Sequence, residues 1–292
     1  MLIRKKLWKE CFQQLDPDTY TLKRINQLSL FAAAGAFPHC LLRGYPASKS
    51  EMRSLALFGA ATALADDLTD EDRLPLSRLV FLATNKDASA NTPREEIAQK
   101  LFFRGIAEHP FPELLMNQLQ IALKDQETSK AQNGYLNFEE SWKISAEKGA
   151  SSNLLFLFFL HHKPTDQEKK LAEVVGVALQ LLDDIFDLYE DLEDGISTPI
   201  TRAQSIEQIT ALYTAALEDV RSRMASFSAP ESKKKTAARI WRFIFKRGYI
   251  GLDQYRRFCE QTRQSFPPAQ YTRRDLIVDM EKLGNLYKNF AR

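Results

Sequence analysis

The chain is predicted to be all-α, and three observations carry that prediction. Apolar residues recur at steps of three and four, as in Leu171, Val174, Val175, Ala178, Leu179 and Leu182, the period of one helix face. No stretch shows sustained alternation flanked by hairpin turns. Glycine is scarce, 11 in 292 residues, which disfavours all-β folds and glycine-rich phosphate loops.

The helical pattern runs through about 18–36, 50–66, 94–108, 112–127, 136–160, 168–182, 204–226, 234–247 and 275–290. Breaks fall at Pro46, Pro75, Pro93, Pro110, Pro112, Asn133-Gly134, Pro164, Pro199, Pro230 and Pro267-Pro268. Connections are short and no Ser/Gly-rich linker divides the chain, so a single domain over 1–292 is expected. The uncharged run 25–42 contains Asn26, Gln27, Pro38 and His39. It reads as a buried helix rather than a stable membrane span, with a membrane-contacting helix as the alternative.

Composition narrows the function. Lys and Arg number 40 against 38 Asp and Glu, a formal net charge of +2, which argues against nucleic-acid binding through bulk charge. The three cysteines, Cys11, Cys40 and Cys259, are far apart and form no CxxC site. None of the four histidines lies in an HExxH or ExxH pattern. The start, residues 1–6, is basic but no apolar run follows, so a cytoplasmic location without a secretory signal is expected.

The acids are concentrated. Residues 66–72 hold five and residues 183–194 hold seven, with no Lys or Arg among them, whereas the last 62 residues carry 15 basic against 6 acidic groups. Both acidic stretches share one frame. Residues 59–70 and 176–187 each read G-x-A-x-x-L-x-D-D-x-x-D, with six identities in twelve positions and an offset of 117 residues. On a helix, i and i+4 lie on one face, so Asp66 stacks with Asp70, Asp183 with Asp187, and Asp191 adds a further turn. Carboxylates so placed repel, and cations relieve that repulsion. Oxygen donors without nearby His or Cys favour Mg²⁺, which keeps several waters and recruits substrate phosphates. A single copy of such a motif reads more readily as a solvated helix end, and the second copy in the same frame on an apolar helix weighs against that reading. An EF-hand is excluded because apolar Leu192 interrupts the required acidic spacing before Gly195.

With Asp66-Asp67-Leu68-Thr69-Asp70 and Asp183-Asp184-Ile185-Phe186-Asp187, the chain resembles the class I isoprenoid synthases, a superfamily of trans-prenyltransferases, terpene synthases and squalene/phytoene synthases. The resemblance implies an α-helical bundle with two facing aspartate-rich helices. They would hold three Mg²⁺ and a prenyl diphosphate through Asp66, Asp67, Asp70, Asp183, Asp187 and Asp191. Residues 194–200 resemble the prenyltransferase E-G-K-x-S-x-P segment without its Lys, and Lys148-Gly149 resembles the family's Lys-Thr step. Gln126 and Gln180 sit where the family places glutamines near the site. A homodimer is also implied.

The departures favour one diphosphate substrate over two. The family's basic isopentenyl-diphosphate segment is reduced here to Arg43 within residues 40–46, and the Arg pair after the first motif to Arg73. A terpene synthase is therefore the leading expectation. A chain-elongating prenyltransferase and a non-catalytic helical partner of a related synthase are the alternatives.

Loss of diphosphate from an allylic substrate leaves a carbocation. Asp66, Asp70, Asp183 and Lys148 are expected to carry this step, with Lys148 and then Lys143 stabilising the leaving group. Either Lys reads otherwise as a snorkelling surface residue. Phe58, Thr62, Leu179 and Gln180 are expected to line the substrate cavity, with Phe156, Phe158 and Phe159 as further wall candidates. Ordinary core packing is the alternative for each Phe. Gly59 and Gly176 either make room for a prenyl chain or permit close helix packing. In the family it resembles, bulky residues four or five positions before the first motif shorten the pocket, so the small Ala61 and Thr62 here imply a chain of C15–C20 or longer.

Overall fold

A computed structural model of the chain describes residues 19–70 and 72–290. Helix makes up 75% of it, and no strand occurs among the described residues. The basic start and Cys11 lie outside the described residues.

The contacts resolve into two compact units. Among the described residues, the first comprises 19–70, 72–123 and 155–164, and the second 124–154 and 165–290. Unit 1 contains α1 (Thr19–Arg43), α2 (Lys49–Asp70), α3 (Leu76–Thr84) and α4 (Pro93–Ile106), together with most of α5 (Pro112–Ser129). Unit 2 contains most of α6 (Phe138–Phe158), then α7 (Asp166–Phe186), α8 (Leu188–Glu193), α9 (Ile206–Ala225), α10 (Glu231–Thr262), α11 (Arg273–Leu276) and α12 (Leu283–Phe290). The last turn of α6 and the loop after it belong to unit 1.

Local chemistry explains several boundaries. Thr92 accepts from the backbone N–H of Glu95, and Pro93 opens α4, where its missing N–H costs nothing. Thr165 and Glu168 form a reciprocal capping box at the start of α7. Arg263 closes α10 in the left-handed conformation at φ 57°.

Some helices differ from the sequence expectation. α1 continues to Arg43 through Pro38, and α3 occupies a stretch the periodicity passes over. α10 runs 32 residues, well past 247, because Gly248 is a packing position and not a stop: a Cβ there would lie 2.5 Å from the Tyr213 ring. The expected final helix divides into α11 and α12. Within α1, Leu22–Arg43 is the one helix among the described residues that is long and apolar enough to cross a membrane by length and composition, and 47% of it is buried in the protein.

In unit 1, α2 packs against α1 and α4. Gly59 sets the closeness of the first contact: a Cβ there would lie 2.6 Å from the carbonyl oxygen of Leu28 and 2.7 Å from the Cβ of Ala32. Phe58, buried at 3% exposure, stacks on Phe159 with ring centroids 3.9 Å apart. Below it a buried ion pair joins α1 to α2. Arg43 donates to both oxygens of Glu51, at 2.8 and 3.0 Å, and its guanidinium lies 4.1 Å from the Tyr45 ring centroid. Glu51 also accepts from the backbone N–H of His161, tying down the loop after α6. Burial opposes the ionised form of Glu51, but these donors win and hold its carboxyl at about 2.

In unit 2, α6 and α7 cross at Gly149 and Gly176. A Cβ on Gly176 would stand 2.2 Å from the Gly149 carbonyl oxygen, and one on Gly149 would stand 2.6 Å from both the Gly176 carbonyl oxygen and the Gln180 Cβ. Two buried tyrosines fix α10. Tyr213 donates to the Phe245 carbonyl at 2.7 Å, and Tyr255 donates to the Ile185 carbonyl at 2.6 Å.

Two stability predictions follow from these contacts. Alanine is favoured over glycine within a helix by about 1 kcal/mol. At Gly176 the opposing backbone contact outweighs that gain, so Gly176→Ala is expected to destabilise by about 1–3 kcal/mol in urea unfolding. Glu51→Ala leaves Arg43 buried without its carboxylate and is expected to cost about 3–5 kcal/mol. Because the folded carboxyl is held at about 2, against about 4.3 when unfolded, the Glu51 contribution is present above pH 4.3. It should fade as pH falls toward 2, so the parent and the Glu51→Ala variant should converge in acid.

Candidate functional site

The second acidic row begins in the last turn of α7. Asp187 caps that helix and opens α8, with φ −91° and ψ 8°. The helix is thus interrupted in the middle of the row, yet the i to i+4 register survives. The Asp187 N–H bonds the Asp183 carbonyl at 2.9 Å, and the Asp191 N–H bonds the Asp187 carbonyl at 2.8 Å. Asp183, Asp187 and Asp191 therefore follow one another along one side, as the sequence spacing requires.

Asp184 turns inward. It is buried, and one carboxylate oxygen accepts from Gln180 Nε2 at 2.8 Å. Its other oxygen, Oδ2, is buried without a hydrogen-bond partner, and so is Oδ2 of Asp191. Unpaired buried carboxylate oxygens are costly and call for a donor or a cation.

The electrostatics reflect this crowding. Desolvation by the surrounding protein pushes the Asp184 carboxyl up to about 6, with Asp183 adding to the rise. Asp187 rises to about 7, first through desolvation and then through repulsion from Asp183, Asp184 and Glu190. Asp191 rises to about 8 by desolvation and by repulsion from Asp184, Asp187 and Asp183. Asp183 and Asp187 keep solvent-accessible side chains, so the dense protein around them, not complete enclosure, is the desolvating factor. Burial also raises Asp183, against the pull of Lys148. Lys148 is half-buried on α6 and offsets charge on Asp183, Asp184 and Asp187.

The glycine crossing explains how Lys148 reaches this end of α7. Gly149 lets the α6 backbone approach Gly176 and Gln180, which brings the neighbouring Lys148 toward the aspartates. Tyr255, which sequence reasoning did not single out, fixes the same helix end through the Ile185 carbonyl. No motif marks Tyr255, since a buried Tyr on a long helix has no sequence signature. Lys143 behaves differently. It extends along the exposed face of α6 to within 3.9 Å of Glu147, and it is not among the charges that act on the row.

Beyond α8 the chain turns at Gly195, whose φ of +69° favours glycine. Ser197 is then fully buried. Its hydroxyl donates to the Gly134 carbonyl and accepts from Arg202, at 2.7 Å from Nη2. Gln132 Nε2 donates to the Ser197 carbonyl at 3.2 Å and to Ser145 Oγ at 3.1 Å. The Gly-x-Ser-x-Pro spacing of this segment is thus a structural latch beneath the row.

The first acidic row lies at the end of α2 in unit 1. Asp66 is exposed. Asp67 is buried and already neutralised: Arg24 donates to Oδ1 from Nη2 at 2.9 Å and from Nε at 3.2 Å. The side chain of Asp70 lies outside the described residues. Thr62 donates to the Gly59 carbonyl at 3.0 Å, and Leu179 and Gln180 are half-buried on α7. Phe58, Phe158 and Phe159 are all buried, and Phe58 packs on Phe102, Phe156 and Phe159, an arrangement of ordinary core packing.

Among the described residues, no group of three or more His, Cys, Asp or Glu side chains is gathered closely enough to hold a single metal ion. The buried Oδ2 atoms of Asp184 and Asp191 are hard oxygen donors without a protein hydrogen-bond partner. Comparison with protein-family models, curated proteins and solved structures returns no match.

The raised carboxyls set a pH dependence with a definite sign. An unfolded Asp titrates near 3.9. Folding therefore favours the protonated row, and stability in EDTA should decline as pH rises from about 4 through the folded values of about 6, 7 and 8. Thermal unfolding of an Asp187→Asn/Asp191→Asn variant should match the parent near pH 4 and exceed it at pH 8. Mg²⁺ should raise the parent's midpoint at pH 8 and not that of the variant.

Proposed function

We propose that the chain is a Mg²⁺-dependent class I isoprenoid synthase that releases diphosphate from a prenyl diphosphate of C15–C20 or longer, of terpene-synthase type. The observation that carries this reading is the second row. Four carboxylates crowd one helix end with Lys148 as the cation that offsets them, and among the described residues the Oδ2 atoms of Asp184 and Asp191 have no partner. The same twelve-residue frame, repeated at the end of α2, supports a duplicated cation-binding arrangement.

Asp183, Asp187 and Asp191 would hold Mg²⁺ in unit 2, and Asp66 and Asp70 in unit 1. Asp67 contributes less, because Arg24 occupies one of its oxygens. When bound, Mg²⁺ supplies Lewis-acid stabilisation of the leaving diphosphate. Lys148 adds positive charge beside the row, where negative charge on the leaving group would accumulate. Gln180 holds Asp184 in place, and Tyr255 holds the helix end that carries it. Lys143 stays on the solvent face and is not assigned a part.

Arg43 supports one diphosphate substrate over two. It is the only basic residue in segment 40–46, and both Glu51 oxygens, together with the Tyr45 ring, occupy it in the interior. It is not available to an isopentenyl diphosphate.

Incubation of the chain with Mg²⁺ and C10, C15, C20 or longer prenyl diphosphates is expected to release diphosphate without isopentenyl diphosphate, giving products resolved by mass spectrometry. Asp183→Ala should lower kcat by about 100-fold or more, and Lys148→Ala should lower it to a smaller extent. Strict dependence on isopentenyl diphosphate would select a chain-elongating enzyme. No turnover of any of these substrates would select a non-catalytic partner of a related synthase.

A further inference from the structure

A second charged site lies in unit 2, away from either aspartate row in sequence. A cavity of about 330 Å³ opens between one face of α10 and the segment from α11 to α12. The α10 wall presents Gln254 and Arg257 at helical spacing, and the facing wall presents Arg274, Asp275, Lys282 and Lys288. Four cations therefore meet one carboxylate in the lining.

The existing contacts compensate only part of this charge. Asp275 accepts from the Thr272 N–H at 2.8 Å and from its hydroxyl at 2.7 Å, closing a capping box. Gln254 donates its amide to the carbonyls of Asp275 and Ile277, each at 3.0 Å, which fixes the far wall to α10. Arg257 and Lys288 share one carboxylate, that of Asp253. Arg274 and Lys282 have no acidic partner among the described residues. The adjacent Arg273 points elsewhere, toward Glu190 at 3.5 Å. The pair Arg273-Arg274 thus divides: one arginine serves the neighbourhood of the row, and the other serves the cavity.

Four converging cations against two carboxylates, Asp253 and Asp275, leave an excess of two positive charges that favours an anion of two or more charges. Guanidinium forks match the oxygens of a phosphate, and a volume near the lower end of small-ligand pockets suits a compact one. We infer that this cavity binds a small, multiply charged phosphate compound, held by Arg257, Arg274, Lys282 and Lys288. The inference uses neither aspartate row and does not depend on the activity proposed above.

Inorganic diphosphate is the probe, titrated calorimetrically into the full chain in EDTA, so that Mg²⁺-dependent binding at the aspartates is silent. One saturable event per chain is expected. Arg274→Gln/Lys282→Gln should weaken it about tenfold or more, and Arg274→Lys, which keeps the charge and loses the fork, should weaken it less than the double variant. Asp183→Asn should leave it unchanged. Arg239→Gln/Arg242→Gln, which removes two exposed cations of the same helix outside the cavity, should also leave it unchanged. Circular dichroism melts verify that each variant is folded. The inference is overturned by absence of saturable binding to the folded parent, by parent-like affinity in the Arg274/Lys282 variant, or by equal weakening in the Arg239/Arg242 variant.

Discussion

Repulsion among carboxylates at the end of α7 is the constraint around which unit 2 is arranged. Asp183, Asp184, Asp187 and Asp191 stand within one another's influence, and desolvation compounds the cost of ionising them. A helix end of this kind would be expected to fray, because each added charge favours exposure. It does not fray here because several contacts hold it. Tyr255 fixes the Ile185 carbonyl, Gln180 fixes Asp184, and the buried Ser197 latch lies immediately after α8. These contacts hold the four acids together against their mutual repulsion.

The glycine crossing makes the arrangement possible. With the Gly149 carbonyl pressed against Gly176, α6 lies close enough for Lys148 to act on three of the four aspartates. The corresponding glycine of the first copy, Gly59, lets α2 approach α1 in unit 1. The two copies of the motif therefore share a mechanical device as well as an acidic end. They differ in charge balance. Arg24 makes a direct ion pair with Asp67 in the first copy, whereas its counterpart Asp184 in the second copy accepts from the neutral amide of Gln180 and feels Lys148 without a direct ion pair.

The basic C-terminal third is likewise not a uniform charged surface. Arg257 and Lys288 converge on Asp253, Arg273 turns to Glu190, and Arg274 and Lys282 face a cavity. The near-zero net charge of the chain conceals this separation. Acids crowd one helix end while cations line a pocket.

The helical class and most of the helices were legible in the sequence, because burying one face of a helix imposes a 3.6-residue period that survives in any context. The doubled acidic frame was legible for a similar reason: i to i+4 spacing fixes which side chains share a face, and the register persists even through the break at Asp187. Other features depended on what stands opposite each residue. Gly59 and Gly176 read equally well as room for a ligand or as packing positions until a carbonyl was found 2.6 or 2.2 Å from the missing Cβ. Lys143 and Lys148 are the same residue type on one helix, five positions apart, and only the crossing with α7 separates a surface lysine from one beside the aspartates. Arg43 looked like the remnant of a phosphate site and is an interior partner of Glu51. Local pattern determines which residues share a helix face. Charge compensation and close approach are set by residues distant in sequence, so only the tertiary structure decides them.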